Sequence, residues 1–200
     1  MLGDDGVITF TGLSFGASGD GNDLDPSDID EIVSTSTTAF GGADTIITGI
    51  GNDIILGGRA GDSIAMPAWA PTWCSATARA SAPQPAVRPS WPSLPITLGI
   101  LESIEFADGG DDVITGSGGQ QIMLGGAGAD DIRSGANADI IVGDNGLVSY
   151  VVNADSASLD LVTTLANTIG GADVIRSDAM TTSWWAARRA TASTAAQAAT

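Results

Sequence analysis

Apolar residues recur every nine positions in two stretches of the chain, and a polar residue stands two positions before each of them. In the first stretch, residues 41–65, the apolar positions are Ile46, Ile55 and Ile64. In the second stretch, residues 109–146, they are Ile114, Met123, Ile132 and Ile141. Glycines crowd the residues before each polar one. Copies that keep one nine-residue register in this way indicate a structural repeat.

Each copy predicts a tight turn followed by a very short strand. Glycine tolerates positive φ and close backbone approach, as such turns require. The residues that follow, such as Thr45-Ile46-Ile47, are β-branched and alternate between two faces. Two copies complete one coil, so the inward Ile of one coil stacks on the same residue of the next coil. We therefore predict an all-β fold built of parallel β-roll (β-solenoid) segments.

The polar position is well suited to calcium. It is occupied by Asp44, Asp53, Asp62, Asp112, Gln121, Asp130 and Asp139. Calcium takes six to eight oxygen ligands, and carboxylates mixed with backbone carbonyls supply them. Successive copies lie on opposite sides of a coil, so an ion is expected to bridge copies eighteen residues apart.

This spacing predicts specific partners. It pairs Asp44 with Asp62, and Asp112 with Asp130. Gln121 pairs with Asp139, where a neutral amide predicts a weaker site. Asp53 has no second partner within its block.

These copies resemble the GGxGxDxUx nonapeptide of RTX, haemolysin-type proteins, a parallel β-helix that binds calcium. The likeness covers residues 41–65 and 109–146, with a further start at 170–175, and the cleanest copy is 125–133. It implies Ca²⁺ as the bound ion, calcium-dependent folding, secretion in an unfolded state, and a location outside a bacterial cell or on its surface. The metal-site residues it implies are Asp44, Asp53, Asp62, Asp112, Asp130 and Asp139, with the turn residues Gly57, Gly58, Gly125, Gly126 and Gly128.

Charge narrows the range of partners. The chain has 24 Asp and Glu against 7 Arg and no Lys, for a formal net charge of -17. This charge repels phosphate, so we expect neither nucleic acid nor an anionic membrane surface as a partner. A divalent cation is the simplest neutralising group. With no His and the single Cys74, neither a thiolate zinc site nor an internal disulfide is expected.

We do not expect this chain to be an enzyme. The carboxylate pairs Asp111-Asp112 and Asp130-Asp131 lie inside the repeat and point to opposite faces, which disfavours acid/base chemistry. The glycine-rich strings lack a Walker lysine. An EF-hand at residues 20–31 is disfavoured because Leu24 and Asp25 occupy positions that need a ligand and a glycine. No apolar run approaches the roughly 18 residues of a membrane span.

The pattern divides the chain into six segments. They are a spacer with possible short strands and an acidic loop (1–40), a first calcium-binding block (41–65), a Pro-, Ala- and Trp-rich insert (66–98), a second block (99–146), a spacer with the start of a third block (147–179), and a disordered tail (180–200). The insert is expected to be irregular and disordered, like the tail. Similar GD-x-G strings at 3–6 and 143–146 indicate a longer period, and we interpret the chain as a piece of a longer bacterial protein.

Three functions stay open at this point. The first is a structural module that calcium folds and that supports neighbouring domains, adhesion or a surface layer. The second is the repeat region of a secreted toxin or hydrolase whose catalytic part lies outside this chain. The third is a non-functional remnant, in which residues 66–95 and 180–200 are read out of frame from a gene rich in G and C.

Overall fold

Strands are the only regular secondary structure in the described part of the chain. The structure, a computed structural model, describes residues 1–9, 31–35, 40–50, 53–69, 72–75, 78–81, 99–150, 159–178, 183–185 and 194–195. The strands in these ranges are β1 (Gly6–Thr9), β2 (Glu31–Ser34), β3 (Thr45–Ile47), β4 (Asp53–Leu56), β5 (Ser63–Trp69), β6 (Thr72–Ser75), β7 (Ala78–Ser81), β8 (Ile100–Ser103), β9 (Val113–Gly118), β10 (Gln121–Leu124), β11 (Asp131–Ser134), β12 (Ile140–Val142), β13 (Gly146–Ser149), β14 (Leu161–Thr164), β15 (Val174–Ser177), β16 (Ser183–Trp185) and β17 (Thr194–Ala195). The predicted all-β class is confirmed, and none of the described residues forms a helix that could cross a membrane.

The strands form three sheets. An outer parallel sheet has the order β17-β15-β11-β9-β5-β3, and a central parallel sheet has the order β16-β12-β10-β6-β4. An antiparallel sheet has the order β1-β2-β7-β8-β13-β14. Consecutive repeat copies alternate between the two parallel sheets, since β9 and β11 are outer strands and β10 and β12 are central strands. Parallel partners are therefore two copies apart in sequence.

Parallel pairing aligns the apolar position of every copy. In the outer sheet the column comprises Ile46, Ile64, Ile114, Ile132 and Ile175. In the central sheet it comprises Ile55, Cys74, Met123 and Ile141. All nine side chains are buried, and they belong to one hydrophobic core. The predicted inward stacking of the apolar position is confirmed.

The central sheet is buried on both faces, which the nonapeptide alone did not predict. Its strands carry unbroken apolar runs, such as Ile54-Ile55-Leu56, because the residues that flank the inward position are buried on the opposite face of the sheet. Ile54, Leu56, Ile122, Leu124 and Val142 of this sheet pack with Ile32, Leu101 and Val148 of the antiparallel sheet in a second core. Outer strands alternate buried and exposed residues instead, as in β9 and β11. The central sheet therefore contributes to both cores.

Three hairpins build the antiparallel sheet, and they explain the longer period. The pairs β1/β2, β7/β8 and β13/β14 are each antiparallel, and neighbouring hairpins pair with one another. The GD-x-G strings lie at the start of the first and third hairpins, since β1 begins at Gly6 and β13 begins at Gly146. One unit of the chain is therefore a hairpin followed by strands that alternate between the parallel sheets. The predicted spacer strands at 148–152 and 159–165 correspond in part to β13 and β14.

The insert is more regular than its composition predicts. The expectation of an irregular segment at 66–98 is wrong for the end of β5 and for β6 and β7. The physical reason is that β6 has a parallel partner on each side, β4 and β10, which fix its register. Pro67 falls where the pairing of β5 with β9 shifts register, a position that tolerates a missing N–H.

Other expectations fall mostly outside the described residues. In the tail, residues 183–185 and 194–195 are strands β16 and β17, so the expectation of disorder is wrong there. Their parallel partners β12 and β15 impose the extended conformation. The remaining residues of the insert and tail, and the acidic loop at 20–30, lie outside the described residues.

Truncation of the outer apolar column is expected to destabilise the fold. Ile132 is fully buried between Ile114 and Ile175, so Ile132→Ala should lower the free energy of unfolding by about 3 kcal/mol, through lost burial and a residual cavity. Ile47→Ala is the matched control, because Ile47 is 65% exposed, and should change it by less than about 0.5 kcal/mol. Urea denaturation in calcium-containing buffer measures both variants. Equal losses of unfolding free energy would contradict the alignment of the outer apolar column.

Candidate metal centre

An aspartate precedes each outer strand from β3 to β15, and these aspartates form one continuous row. We call it the outer row: Asp44, Asp62, Asp112, Asp130 and Asp173. The row follows directly from parallel register, because pairing that aligns the apolar positions also aligns the residue two places before them. The sequence spacing of its members varies, but their structural spacing is one strand.

Each carboxylate of the row after Asp44 accepts a hydrogen bond from the backbone of the preceding member. The amide N–H of Asp44 donates to Oδ1 of Asp62 at 2.9 Å, and that of Asp112 donates to Oδ1 of Asp130 at 2.9 Å. These are the two pairs, eighteen residues apart, that the spacing predicts an ion to bridge, and the structure places their members on adjacent strands. The N–H of Asp62 also donates to Asp112 at 2.6 Å, and that of Asp130 donates to Asp173 at 3.1 Å. Neither of these two longer-range pairings was predicted.

The second oxygen of every outer-row carboxylate has no hydrogen-bond partner. Oδ2 is buried and unpaired in all five members. Asp62, Asp112, Asp130 and Asp173 are each at most 2% exposed. Buried polar atoms in folded proteins nearly always have a partner, so these five oxygens are the atoms of the row that can still accept one.

Glycine turns surround these free oxygens with backbone. The α-carbon of Gly57 lies against Oδ2 of Asp62, and that of Gly125 lies against Oδ2 of Asp130, so that a Cβ at either position would collide with the oxygen. A Cβ at Gly125 would also collide with the carbonyl oxygen of Gly143. The same small space is thus bordered by a carboxylate oxygen and a carbonyl oxygen, the mixture that calcium prefers.

Three further predicted glycines shape the turns. Gly58 and Gly126 occupy equivalent positions with φ of 106° and 100°, and Gly128 has φ of 138°. A side chain at these angles is strained, which explains the glycine. In the first block Ala60, with φ of 67°, stands where the second block has Gly128.

Burial raises the pKa of the outer-row carboxyls. Desolvation, together with repulsion from the neighbouring aspartates and against the opposing effect of their backbone hydrogen bonds, raises the pKa of Asp130 to about 8 and that of Asp112 to about 7. The same causes bring the pKa values of Asp62 and Asp173 to about 6. No ion pair found among the described residues reaches the row; the arginines at 59, 133 and 176 pair with Asp108, Asp178 and Asp131.

The residues before the central strands form a different row. This central row consists of Asp53, Thr72, Gln121 and Asp139 in register. The N–H of Gln121 donates to Oδ1 of Asp139 at 2.9 Å, and its Nε2 donates to the carbonyl oxygen of Gly118 at 3.1 Å. Desolvation raises the pKa of Asp139, and the nearby hydroxyl of Ser134 and the N–H bond from Gln121 oppose this. No two described neighbours in the central row are both carboxylates, and the structure does not bring Asp53 or Asp139 to another aspartate of its row.

Sequence reasoning missed three aspartates near the outer row. Asp173 was seen only as the start of a third block. The carboxylate of Asp4 accepts N–H bonds from Gly42 at 3.0 Å and Arg59 at 2.7 Å, and that of Asp144 accepts one from Gly171 at 2.9 Å. Asp4 and Asp144 occupy equivalent places in the GD-x-G strings, and that repeat was the available signal.

The arrangement suits a cation that accepts carbonyl ligands. Among the described residues, no three His, Cys, Asp or Glu side chains gather closely enough to hold a metal ion by themselves. A cation between two outer-row members would therefore need two carboxylates completed by backbone carbonyls. Calcium accepts such a set, whereas zinc requires His or Cys ligands in most sites.

Comparison with known proteins gives no relative for this chain. No family model, curated protein or solved structure matches it. The resemblance to the RTX class stays a prediction that depends on the nonapeptide copies at 41–65 and 109–146.

In calcium-free buffer, the unfolding temperature is expected to fall as pH rises from about 4 to about 8. The outer-row carboxyls keep their protons to higher pH in the folded state than in the unfolded chain, where the pKa is near 3.8. The folded state therefore binds more protons across this window and loses stability as they leave. Scanning calorimetry of demetallated protein at several pH values measures the trend.

Asp130→Asn should reduce this dependence, because it removes the carboxyl whose pKa is raised to about 8. Its unfolding temperature should fall less than that of the wild type between about pH 6 and pH 8. Asp131→Asn removes the same charge from an exposed neighbour and serves as control. Identical slopes for Asp130→Asn and Asp131→Asn would show that burial in the row does not cause the effect.

Proposed function

We propose that this chain is a calcium-binding structural module, in which the parallel strands form a β-roll that takes up Ca²⁺ between outer-row aspartates eighteen residues apart in the same repeat block. The observation that carries this proposal is the free, buried Oδ2 atom on every aspartate of that row. Two such atoms from neighbouring strands, together with carbonyl oxygens of the glycine turns, offer the oxygen ligands that calcium requires.

Electrostatics supports a divalent ion in this place. Neighbouring buried carboxylates repel one another and are poorly solvated, so at neutral pH the row opposes folding when nothing neutralises it. A cation between two members converts that repulsion into attraction. Because the unfolded chain has no aligned row, the free energy of calcium binding stabilises the folded state directly.

The residues that would hold ions can be named for each repeat block. Within the blocks, Asp44 faces Asp62 and Asp112 faces Asp130. The turn glycines Gly57 and Gly125 border Oδ2 of Asp62 and Oδ2 of Asp130, and Gly58, Gly126 and Gly128 belong to the same turns. These are the predicted site residues, apart from Asp53 and Asp139 of the central row.

The setting of such a module is outside the cell. Extracellular calcium modules operate with dissociation constants of about 10⁻⁴ to 10⁻³ M, and weak sites of this type are filled only where calcium is in the millimolar range. We therefore propose an extracellular or bacterial cell-surface location, and neighbouring domains of a longer protein as partners. A repeat region attached to a secreted toxin or hydrolase would bind calcium in the same way.

Replacement of one outer-row aspartate should weaken calcium binding. Asp130→Asn keeps an oxygen that can accept the N–H of Asp112 but removes a charged ligand, so we expect the affinity to fall roughly tenfold or more. Asp131→Asn is the matched control, since Asp131 is exposed and pairs with an arginine. Isothermal titration calorimetry of the full chain measures both variants.

Magnesium provides the second control. It prefers a smaller octahedral shell and keeps several waters, so it should not compete at equal concentration. Equal binding of Mg²⁺, or no binding of Ca²⁺ up to about 10 mM, would contradict the proposed function. The latter result would favour a non-functional remnant.

Conversion of Gln121 to aspartate should create a site in the central row. Gln121 is buried beside Asp139, and its amide nitrogen donates to the carbonyl oxygen of Gly118. Gln121→Asp removes that donor and gives the row its first pair of facing carboxylates. We expect about one additional calcium equivalent per chain, by the same rule that applies to the outer row. An unchanged stoichiometry would mean that facing carboxylates are not sufficient for a site.

A further inference from the structure

The outer row continues without a break across the hairpins that separate the repeat blocks. Between β5 and β9 the chain leaves the stack, forms hairpin β7/β8 and returns, and Asp62 and Asp112 are fifty residues apart. Between β11 and β15 it forms hairpin β13/β14, and Asp130 and Asp173 are forty-three residues apart. We call these two intervals the junctions, and the eighteen-residue intervals the block intervals.

The junctions have the same hydrogen-bond geometry as the block intervals. At the block intervals, the N–H groups of Ser63 and Asp131 donate to the carbonyl oxygens of Asp44 and Asp112 at 2.8 Å. At the junctions, the N–H groups of Val113 and Val174 donate to the carbonyl oxygens of Asp62 and Asp130 at 2.8 and 2.7 Å. The amide-to-Oδ1 bond from one aspartate to the next is present at all four intervals. The hairpin inserted at each junction therefore does not change the hydrogen-bond pattern of the row.

The free oxygens and the close turns are also present at the junctions. Oδ2 is buried and unpaired on both sides of each junction, and all four residues are at most 2% exposed. A Cβ at Gly61 would collide with the carbonyl oxygen of Asp111, and one at Gly171 would collide with that of Gly128. Turn backbones from separate units thus approach as closely as those within one block, where Gly128 faces the carbonyl oxygen of Gly110 in the same way.

We propose that each junction is a calcium site, one between Asp62 and Asp112 and one between Asp130 and Asp173. This inference rests on the proposed function. Ions at the block intervals stabilise single units, whereas ions at the junctions bind two units at once and hold the hairpin-containing units in one stack. Calcium is in this way the ligand that joins repeat units, which the eighteen-residue spacing of the nonapeptide does not predict.

Stoichiometry of the full-length chain tests the proposal, because single substitutions separate the two kinds of interval. Asp173 borders only a junction among the described residues, and Asp44 borders only a block interval. Asp44→Asn should lose about one calcium equivalent relative to wild type. Asp173→Asn should also lose about one if the junction holds an ion, and none if it does not. Equilibrium dialysis with radioactive calcium counts the ions, and Asp53→Asn in the central row should leave the count unchanged.

The outcomes distinguish the inference from the function on which it rests. A wild-type chain that binds no calcium overturns both. Binding by wild type, loss in Asp44→Asn and no loss in Asp173→Asn overturns the junction sites alone. Circular dichroism at saturating calcium checks the fold of each variant.

A second variant decides the matter if Asp173→Asn fails to fold. Asp62 borders a block interval and a junction, so Asp62→Asn should lose about one equivalent more than Asp44→Asn. An equal loss in these two variants overturns the junction sites.

Discussion

The parallel register of the short strands is the constraint on which the rest of this structure depends. When every strand pairs with the strand two copies away, each position of the nonapeptide becomes a column through the whole stack. A single apolar residue per copy then yields a continuous core, as the column from Ile46 to Ile175 shows. A single aspartate per copy yields a continuous row of carboxylates, which repel one another unless a cation lies between them. Core and proposed ion sites are two consequences of one pairing rule.

The two rows differ because only the central row contains neutral residues. Every interval of the outer row has a carboxylate on both sides, whereas Thr72 and Gln121 interrupt the central row. Nε2 of Gln121 donates a hydrogen bond to the carbonyl oxygen of Gly118, so this turn carbonyl is paired without an ion. Under the proposed function, calcium stabilises the turns that lead into the outer sheet, whereas in the central row Oδ2 of Asp53 and Oδ2 of Asp139 have no facing carboxylate with which to share an ion. The stack can then respond to calcium without depending on it at every turn.

The antiparallel sheet gives the stack a support that a simple two-sheet roll does not have. Its hairpins cover the second face of the central sheet, so the residues on both sides of the inward position are buried. Burial of this kind stabilises by roughly 1.5 to 3 kcal/mol for each large apolar side chain, and it acts whether or not ions are bound. The hairpins also interrupt the sequence between blocks without interrupting the row. Separate units therefore meet in the geometry of consecutive copies, and the junctions follow from that.

The sequence by itself determined the features that depend on contacts within one coil. The nine-residue period predicted short strands, inward Ile residues and the pairs Asp44–Asp62 and Asp112–Asp130, because these depend on spacing within one coil. The unbroken apolar runs, such as Ile122-Met123-Leu124, already signalled burial on two faces, although the nonapeptide pattern drew attention to one position only.

Only the tertiary structure decided which distant copies become neighbours. Asp62 meets Asp112, and Asp130 meets Asp173, across hairpins whose length has no relation to the period. The strand β6 forms in a Pro- and Trp-rich segment because β4 and β10 offer it two parallel partners, an effect that composition cannot show. Pairing across long separations depends on which strand edges remain open after local coils have formed, and that is a property of the assembled sheets.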